Sequence, residues 1–295
     1  MKKYLKLLRV EQWVKNLFVF VPLFFSGNIT NLDLLTKSIF AFIIFSLVAS
    51  SVYILNDYND IEADKKHPEK RRRPLASGAI SKTKALGILA GLLITSIVLV
   101  FAAQFYFHQF LWKFAIIIAV YFVMNLAYTF KLKHVPIVDI CIIAIGFVLR
   151  VLAGGYITGI SISQWAILLT FVLALVLAIG KRRGELINAQ VSGKTRRALD
   201  GYNVQFADIA LSISVALAIV CYLMFTLSPE IQVRLHSAVF YTVIFVVFAF
   251  LRYLQQTLVY NRTESPTKIV YRDRYIQITL ILWVAAFLIL IYFKK

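Results

Sequence analysis

The chain has 295 residues, of which 60% are hydrophobic and only 16% are charged. A soluble domain does not carry that much apolar surface, so the composition excludes a soluble globular protein and predicts an all-α, polytopic membrane protein. The net charge of +18 comes from 32 Lys and Arg residues against 14 Asp and Glu residues. We attribute this excess to membrane topology, so nucleic acid is not an expected partner.

Nine apolar stretches come close to the roughly 20 residues that a helix needs to cross a bilayer. The first is the weakest, because Pro22 interrupts its apolar core and predicts a kinked or partly interfacial segment. We predict one integral-membrane domain that covers 1–295. In chain order the predicted spans are 13–30, 38–55, 85–107, 111–130, 135–156, 164–180, 206–227, 236–254 and 275–293.

The distribution of charge predicts the orientation of these spans. With the N-terminus inside, most Lys and Arg residues fall in inside segments, as the positive-inside rule requires. Of the acidic residues, only Asp33 and Glu230 fall outside. We therefore expect an inner-membrane protein whose N-terminus and chemically active side chains face the cytoplasm.

A run of carboxylates closes the second predicted span. On a helical path Asp57, Asp60 and Asp64 lie three and four residues apart, so they share one face. Like charges placed in this way repel unless a divalent cation lies between them. Mg²⁺ suits such a site, because it bridges a few carboxylates to substrate phosphates. The alternative interpretation is a solvated charged loop, which the membrane context disfavours.

Basic residues follow these carboxylates directly. Pro68 and Pro74 exclude a continuous helix here and predict a shaped turn. Cations beside a membrane could bind anionic lipid headgroups. Their position immediately behind the carboxylates favours phosphate binding in a site. The basic residues are Lys65, Lys66, Lys70, Arg71, Arg72 and Arg73.

Further inside segments carry polar residues with two interpretations each. Asp139 suits the first turn of a helix electrostatically, yet a carboxylate inside the membrane boundary is costly without a partner. Lys181 and Glu185 are four residues apart and could form an ordinary helix ion pair. Trp13 and Lys15 are typical of interfacial anchors.

Arg150 is the one basic residue deep within a predicted span. An arginine at such a depth is expected to face the bundle interior. It could support the far end of a polar cavity or satisfy backbone carbonyls, and the sequence does not choose between them.

Two motifs resemble the UbiA prenyltransferase superfamily. Asn56-Asp57-x-x-Asp60-x-x-x-Asp64 is similar to its first aspartate-rich motif, and Tyr128-x-x-x-Leu132-Lys133 is similar to its signature after the fourth helix. Within that superfamily the chain most resembles the decaprenyl-phosphate phosphoribosyltransferase branch. That closer likeness rests on Gln12-Trp13-Val14-Lys15-Asn16, His67-Pro68-x-Lys70-Arg71-x-Arg73-Pro74, Gly180-Lys181-Arg182-x-x-Glu185-Leu186 and Arg272-Asp273-Arg274.

One departure bears on the donor. Members that transfer prenyl groups resemble each other in a second Asp-x-x-x-Asp motif after the sixth helix. Here Asp200 and Asp208 are eight residues apart, so they do not form this motif. Residues 180–185 occupy the position where functional residues are expected after the sixth helix. A prenyl diphosphate donor is therefore disfavoured. A donor with a diphosphate and a second phosphate fits better, and 5-phosphoribosyl diphosphate is such a donor.

The resemblance implies a UbiA-like bundle of nine transmembrane helices with a polar cavity that faces the cytoplasm. It implies Mg²⁺-dependent transfer of 5-phosphoribose to a polyprenyl phosphate, which releases diphosphate and supplies cell-envelope glycan synthesis. Membrane lipids and a second copy of the chain are further expected partners. The implied metal ligands are Asn56, Asp57, Asp60 and Asp64. The implied substrate-binding residues are Lys15, Asn56, Lys70, Arg71, Arg73, Tyr128, Lys133, Asp139, Lys181, Arg182 and Glu185.

Two other functions stay open at this point. The first is a UbiA-type prenyltransferase with a prenyl diphosphate donor and an aromatic or lipid acceptor. The second is a transporter. Transporters place polar groups near the bilayer midplane on broken helices, whereas here the polar groups crowd one side.

Overall fold

The computed structural model describes residues 2–192, 199–235, 237–261, 269 and 272–292. These residues are helical almost throughout, and no β-strand occurs among them, which confirms the all-α prediction. The α-helices are α1 (Lys2–Leu8), α2 (Val21–Phe25), α3 (Leu32–Asn59), α4 (Ile61–Lys65), α5 (Lys82–Tyr106), α6 (Trp112–Phe130), α7 (Val138–Thr158), α8 (Gln164–Ser192), α9 (Val204–Leu227), α10 (Pro229–Arg234), α11 (Val243–Leu254) and α12 (Arg274–Tyr292). Val10–Phe20, Lys70–Arg72, Leu132–His134 and Ser237–Thr242 are 3₁₀-helices, and Gln255–Val259 is a π-helix.

Eight helical segments of the described chain are long and apolar enough to cross a membrane. The protein is therefore a multi-pass membrane protein. The predicted count of nine is not confirmed, because the first predicted span is the 3₁₀-helix Val10–Phe20 followed by the five-residue α2. Pro22 lies in the first turn of α2, where its missing N–H breaks no helical hydrogen bond.

The chain forms two compact units. Unit 1 comprises Met1–Leu132 and Leu149–Ser161, and unit 2 comprises Lys133–Val148 and Ile162–Lys295. The core of unit 1 includes Phe45 and Phe114, both fully buried. The prediction of a single domain over 1–295 stays a prediction.

The 3₁₀-helix Val10–Phe20 packs along α3 and is held there by side-chain hydrogen bonds. Trp13 Nε1 donates to Ser50 Oγ at 3.0 Å, and Asn16 Nδ2 donates to Ser46 Oγ at 2.9 Å. The two serines are four residues apart and so lie on one face of α3. Trp13, expected to be an interfacial anchor, thus has a partner within the protein.

Arg150 holds the same segment from α7. Its Nε donates to Asn16 Oδ1 at 2.8 Å, and its Nη2 donates to Tyr121 Oη at 3.1 Å. The guanidinium lies 4.8 Å from the ring centre of Phe45 and 5.0 Å from that of Tyr121. A buried cation needs such hydrogen bonds and aromatic faces. Arg150 therefore faces the interior of unit 1, as predicted, and binds side chains there.

Gly154, four residues after Arg150, lets the 3₁₀-helix approach the backbone of α7. A Cβ atom at this position would lie 1.9 Å from the carbonyl oxygen of Val19. We expect Gly154→Ala to lower the free energy of unfolding by about 1–3 kcal/mol or more, the usual cost of overpacking. Thermal unfolding in detergent measures this loss.

Gly87→Ala is the matched control, because nothing lies within 4 Å of a Cβ atom at Gly87 in α5. Alanine has the higher helix propensity, so this variant should unfold at the wild-type temperature or above it. An unchanged unfolding temperature for Gly154→Ala would show that Val19 does not lie against α7.

Candidate functional site

The predicted metal ligands lie at the C-terminal end of α3, at the junction with α4 and in α4. We call Asn56, Asp57, Asp60 and Asp64 the acidic cluster. The helix is interrupted at Asp60, whose backbone (φ −97°, ψ 9°) separates α3 from α4. The amides of Asp60 and Asp64 still bond to carbonyls four residues earlier, at 3.0 and 2.8 Å. The acidic residues are thus held on a nearly helical path that spans two helices instead of one.

Asp57 and Asp64 converge on one cationic nitrogen. Arg73 Nη1 donates to Asp57 Oδ1 at 3.1 Å and to Asp64 Oδ2 at 2.6 Å. Both carboxylates are almost fully buried, with 2% and 3% of their surface exposed. A carboxylate at the C-terminus of a helix faces the negative end of the helix dipole, so these residues need cations beside them.

Arg9 is the second cation on Asp57, and no motif in the sequence predicts it. Its Nη2 donates to Asp57 Oδ1, and its guanidinium lies 5.0 Å from the ring centre of Tyr53. The backbone of Arg9 is left-handed (φ 49°, ψ 49°), which is uncommon for a residue other than glycine. Arg9 and Asp57 are 48 residues apart in the chain, so no local motif could reveal the pair.

The acidic cluster fits a magnesium ion in chemistry and in part in geometry. Its donors are hard oxygens, and two of its carboxylates already converge on a positive charge. In the part of the chain that the structure describes, no three His, Cys, Asp or Glu side chains are grouped closely enough to hold a metal. Asp57 and Asp64 converge on Arg73. Asn56 and Asp60, the other two members of the cluster, are half-buried.

The basic run forms the predicted turn between Pro68 and Pro74. Lys70–Arg72 is a short 3₁₀-helix, and Arg73 follows in an extended conformation that directs it to the acidic cluster. Lys70 is half-buried, whereas Arg71 and Arg72 are exposed. The structure therefore brings Arg73 onto the predicted carboxylates and leaves Arg71 toward solvent.

A second group of predicted residues meets in unit 2, and we call Asp139, Lys181, Arg182, Glu185 and Tyr202 the Asp139 cluster. Asp139 is fully buried and accepts hydrogen bonds from Arg182 Nε and Tyr202 Oη, both at 2.8 Å. Arg182 Nη1 donates to Glu185 Oε2 at 2.5 Å. Lys181 Nζ lies 3.9 Å from Glu185 Oε1, so the predicted helix ion pair is loose. Asp139 lies in the first turn of α7, where the helix dipole favours a negative charge, and its carboxylate is paired with Arg182.

Tyr202 was not predicted as a site residue. Burial raises the pKa of its hydroxyl well above the ordinary value, and the hydrogen bond to Asp139 adds to this effect. Tyr202 therefore stays protonated and donates to Asp139 throughout the physiological pH range. It lies 63 residues from Asp139 in the chain, and its local sequence carries no signal of this contact.

The family signature contributes two predicted site residues, Tyr128 and Lys133, and they lie in different units. Tyr128 is half-buried in the last turn of α6 in unit 1. Lys133 lies in the 3₁₀-helix Leu132–His134 of unit 2 and is 6% exposed.

Other charged residues have structural partners. Arg183 donates to Asp208, to the Thr257 carbonyl at 2.7 Å and to Asn261 Oδ1 at 2.9 Å. Asp208 is therefore an ion-pair partner of Arg183.

Asp273 caps the start of α12. It accepts from Arg252 Nε at 2.9 Å and from the Ile276 amide at 3.0 Å. Burial raises the pKa of Asp273, but these hydrogen bonds outweigh it and keep the pKa below its usual value. The neighbouring Tyr271 lies outside the described residues.

Comparisons with known proteins show the family to which this chain belongs. The model of the UbiA prenyltransferase family matches residues 17–276. Decaprenyl-phosphate phosphoribosyltransferase of Mycolicibacterium smegmatis is 34% identical over 98% of this chain and 92% of its own length. The protein of that name from Corynebacterium glutamicum is 32% identical over 98% and 86%.

The solved structures show the same fold. A UbiA homolog from Archaeoglobus fulgidus, bound to GPP and Mg²⁺, has a TM-score of 0.68 at 20% identity. The match covers 98% of this chain and 99% of that one. The predicted resemblance is thereby confirmed, and the chain belongs to the UbiA prenyltransferase family.

Proposed function

We propose that this protein transfers 5-phosphoribose from 5-phosphoribosyl 1-diphosphate to a polyprenyl phosphate of the decaprenyl type. The products are diphosphate and a lipid-linked phosphoribose for cell-envelope glycan synthesis. The observation that carries the proposal is the likeness, over 98% of the chain, to relatives named decaprenyl-phosphate phosphoribosyltransferase. The spacing of Asp200 and Asp208 supports it, because two aspartates eight residues apart do not form the second Asp-x-x-x-Asp motif of prenyl-transferring members.

The acidic cluster is assigned to the leaving diphosphate. Asn56, Asp57, Asp60 and Asp64 would hold Mg²⁺, which when bound neutralises the negative charge that grows on the leaving group. Arg73 lies on two of these carboxylates and can supply N–H donors to the phosphates.

The other cations are assigned to the remaining phosphates of the substrates. Lys15, Lys70, Arg71 and Lys181 would bind the ribose 5-phosphate and the lipid phosphate, and Tyr128 and Lys133 of the family signature would assist. In unit 2, Glu185 would contact the ribose hydroxyls. Asp139 and Arg182 are buried on each other, so we assign them to holding Glu185 and Lys181 in place.

The reaction balances without a general base. The bond between the anomeric carbon and the diphosphate oxygen breaks, and its electron pair leaves with diphosphate. A phosphate oxygen of the lipid forms the new bond to that carbon. This oxygen is already anionic, so no proton has to be removed from it.

The charge distribution supports a cytoplasmic location for this chemistry. The Lys and Arg residues gather in the segments that carry both clusters, which by the positive-inside rule face the cytoplasm of the inner membrane. We propose that membrane lipids contact the eight apolar helical segments of the described chain. We also propose that a second copy of the chain binds this one and forms a homo-oligomer.

Asp60→Asn is the direct test of the assigned metal site. With labelled phosphoribosyl diphosphate, Mg²⁺ and polyprenyl phosphates of several lengths, we expect turnover to fall about a hundredfold, as for the loss of one charge-stabilising group. The matched control is Glu62→Gln, two residues away, because Glu62 is exposed and pairs only at the surface with Lys65. Near-normal turnover by a well-expressed Asp60→Asn protein would contradict the metal assignment.

The same assay separates the alternative functions. A prenyltransferase would ignore phosphoribosyl diphosphate and would be inhibited by prenyl diphosphates. Net counterflow in vesicles without product formation would indicate a transporter.

A further inference from the structure

The start of α7 carries a strained turn. Ile137 has φ 68°, a left-handed conformation that a β-branched residue rarely adopts. Such a conformation is costly and persists only where the surroundings fix it, often at functional sites. The Ile137 side chain is 52% exposed, so its own packing does not explain the strain.

A loop before α9 holds this turn. Tyr202 Oη accepts a hydrogen bond from the Ile137 amide at 2.6 Å. The preceding Gly201 packs against Pro136, where a Cβ atom on the glycine would lie 2.4 Å from Pro136 Cγ. Glycine at 201 therefore permits the close approach that brings the Tyr202 hydroxyl to the strained amide.

The same hydroxyl reaches the Asp139 cluster. Tyr202 Oη donates to Asp139 Oδ1 at 2.8 Å while it accepts from Ile137. Asp139 lies two residues after Ile137, is fully buried, and accepts from Arg182 at its other carboxylate oxygen. Arg182 in turn donates to Glu185. A continuous series of short contacts thus joins the strained turn to Glu185.

We propose that Tyr202 is a positioning residue that holds the turn at Ile137 in its strained form and thereby fixes Asp139, Arg182 and Glu185 for the donor. The proposal rests on the proposed function, which places Glu185 on the ribose. If Tyr202 loses its hydroxyl, the Ile137 amide loses its acceptor and the turn relaxes toward an unstrained conformation. Asp139 then moves with the turn, and Glu185 loses its orientation.

Tyr202→Phe in two backgrounds tests the proposal. In the wild-type background we expect kcat/KM for phosphoribosyl diphosphate to fall about ten- to a hundredfold, the scale of one hydrogen bond to a charged group. The fall should come from a higher KM for phosphoribosyl diphosphate while the KM for polyprenyl phosphate stays unchanged, whereas a general loss of folded protein would lower the apparent kcat and leave both KM values unchanged. In the Ile137→Gly background the strain is absent, because glycine adopts positive φ freely, and Tyr202→Phe should cost less than about threefold.

An equal loss in both backgrounds would overturn the proposal, because Tyr202 would then act without the turn. Wild-type activity of Tyr202→Phe would overturn it as well. Tyr222→Phe is the control, since Tyr222 is also buried in unit 2 and its hydroxyl accepts from Trp283 Nε1 at 2.8 Å. Its kinetic constants should match the wild type.

Amide exchange measured by mass spectrometry on the full-length protein gives a readout that does not depend on activity. We expect the amides of 137–139 to exchange at least about tenfold faster in Tyr202→Phe, and unchanged exchange would overturn the proposal. If no variant transfers phosphoribose, the proposed function fails, and the exchange rates alone still decide whether Tyr202 holds the turn.

Discussion

Replacement of both Asp57 and Asp64 by asparagine should lower phosphoribosyl transfer by about a thousandfold or more. The two carboxylates converge on Arg73, and the double change removes both buried negative charges that we assign to the metal. Asparagine keeps an acceptor oxygen of similar size for Arg9 and Arg73. The fold should therefore survive, and the loss should appear in kcat with labelled donor and saturating Mg²⁺.

Glu62→Gln/Glu69→Gln is the control for this variant. It removes the same number of negative charges from the same segment, but both glutamates are exposed. We expect activity within about twofold of the wild type, because exposed charges contribute little. Equal losses in the two double variants would mean that net charge, and not the buried carboxylate pair, supports the reaction.

Asp139→Ala should destabilise the protein strongly. It leaves the buried guanidinium of Arg182 without the carboxylate that faces its Nε, and removal of one partner from a buried ion pair costs about 3–5 kcal/mol. We expect a lower unfolding temperature in detergent together with a loss of activity. A wild-type unfolding temperature would contradict the buried pair.

The double variant Asp139→Ala/Arg182→Met separates stability from activity. It removes both buried charges, so most of the lost stability should return. Transfer should stay low, because Glu185 has lost the arginine that orients it. Recovery of activity in the double variant would show that Asp139 and Arg182 serve the fold alone.

The membrane class and the carboxylates of the acidic cluster could be predicted, because hydropathy and residue spacing are local properties of the sequence. Long apolar runs determine which segments are membrane helices, and eight of the predicted spans correspond to such segments. Three aspartates and an asparagine at the spacing Asn56-Asp57-x-x-Asp60-x-x-x-Asp64, at the end of an apolar helix, predict a cation site before any contact is known. The first span was the weakest prediction for the same reason, since Pro22 disturbs its pattern.

Arg9 and Tyr202 could not be predicted, because each acts across a long separation in the chain. Arg9 meets Asp57 48 residues away, and Tyr202 meets Asp139 63 residues away. Neither residue stands in a recognisable motif. The sequence leaves the role of Arg150 open for the same reason, because its partners Asn16 and Tyr121 lie 134 and 29 residues away in the chain.

The sequence by itself determined that this chain is a multi-pass helical membrane protein with the motifs of the UbiA family, because hydropathy and motif spacing are local properties. Tertiary structure alone decided which charges are buried against each other. It placed Arg73 between Asp57 and Asp64, and it committed Arg182 to Asp139. The physical reason is that the free energy of a buried charge depends on its neighbours in space, and folding brings those neighbours from distant parts of the chain.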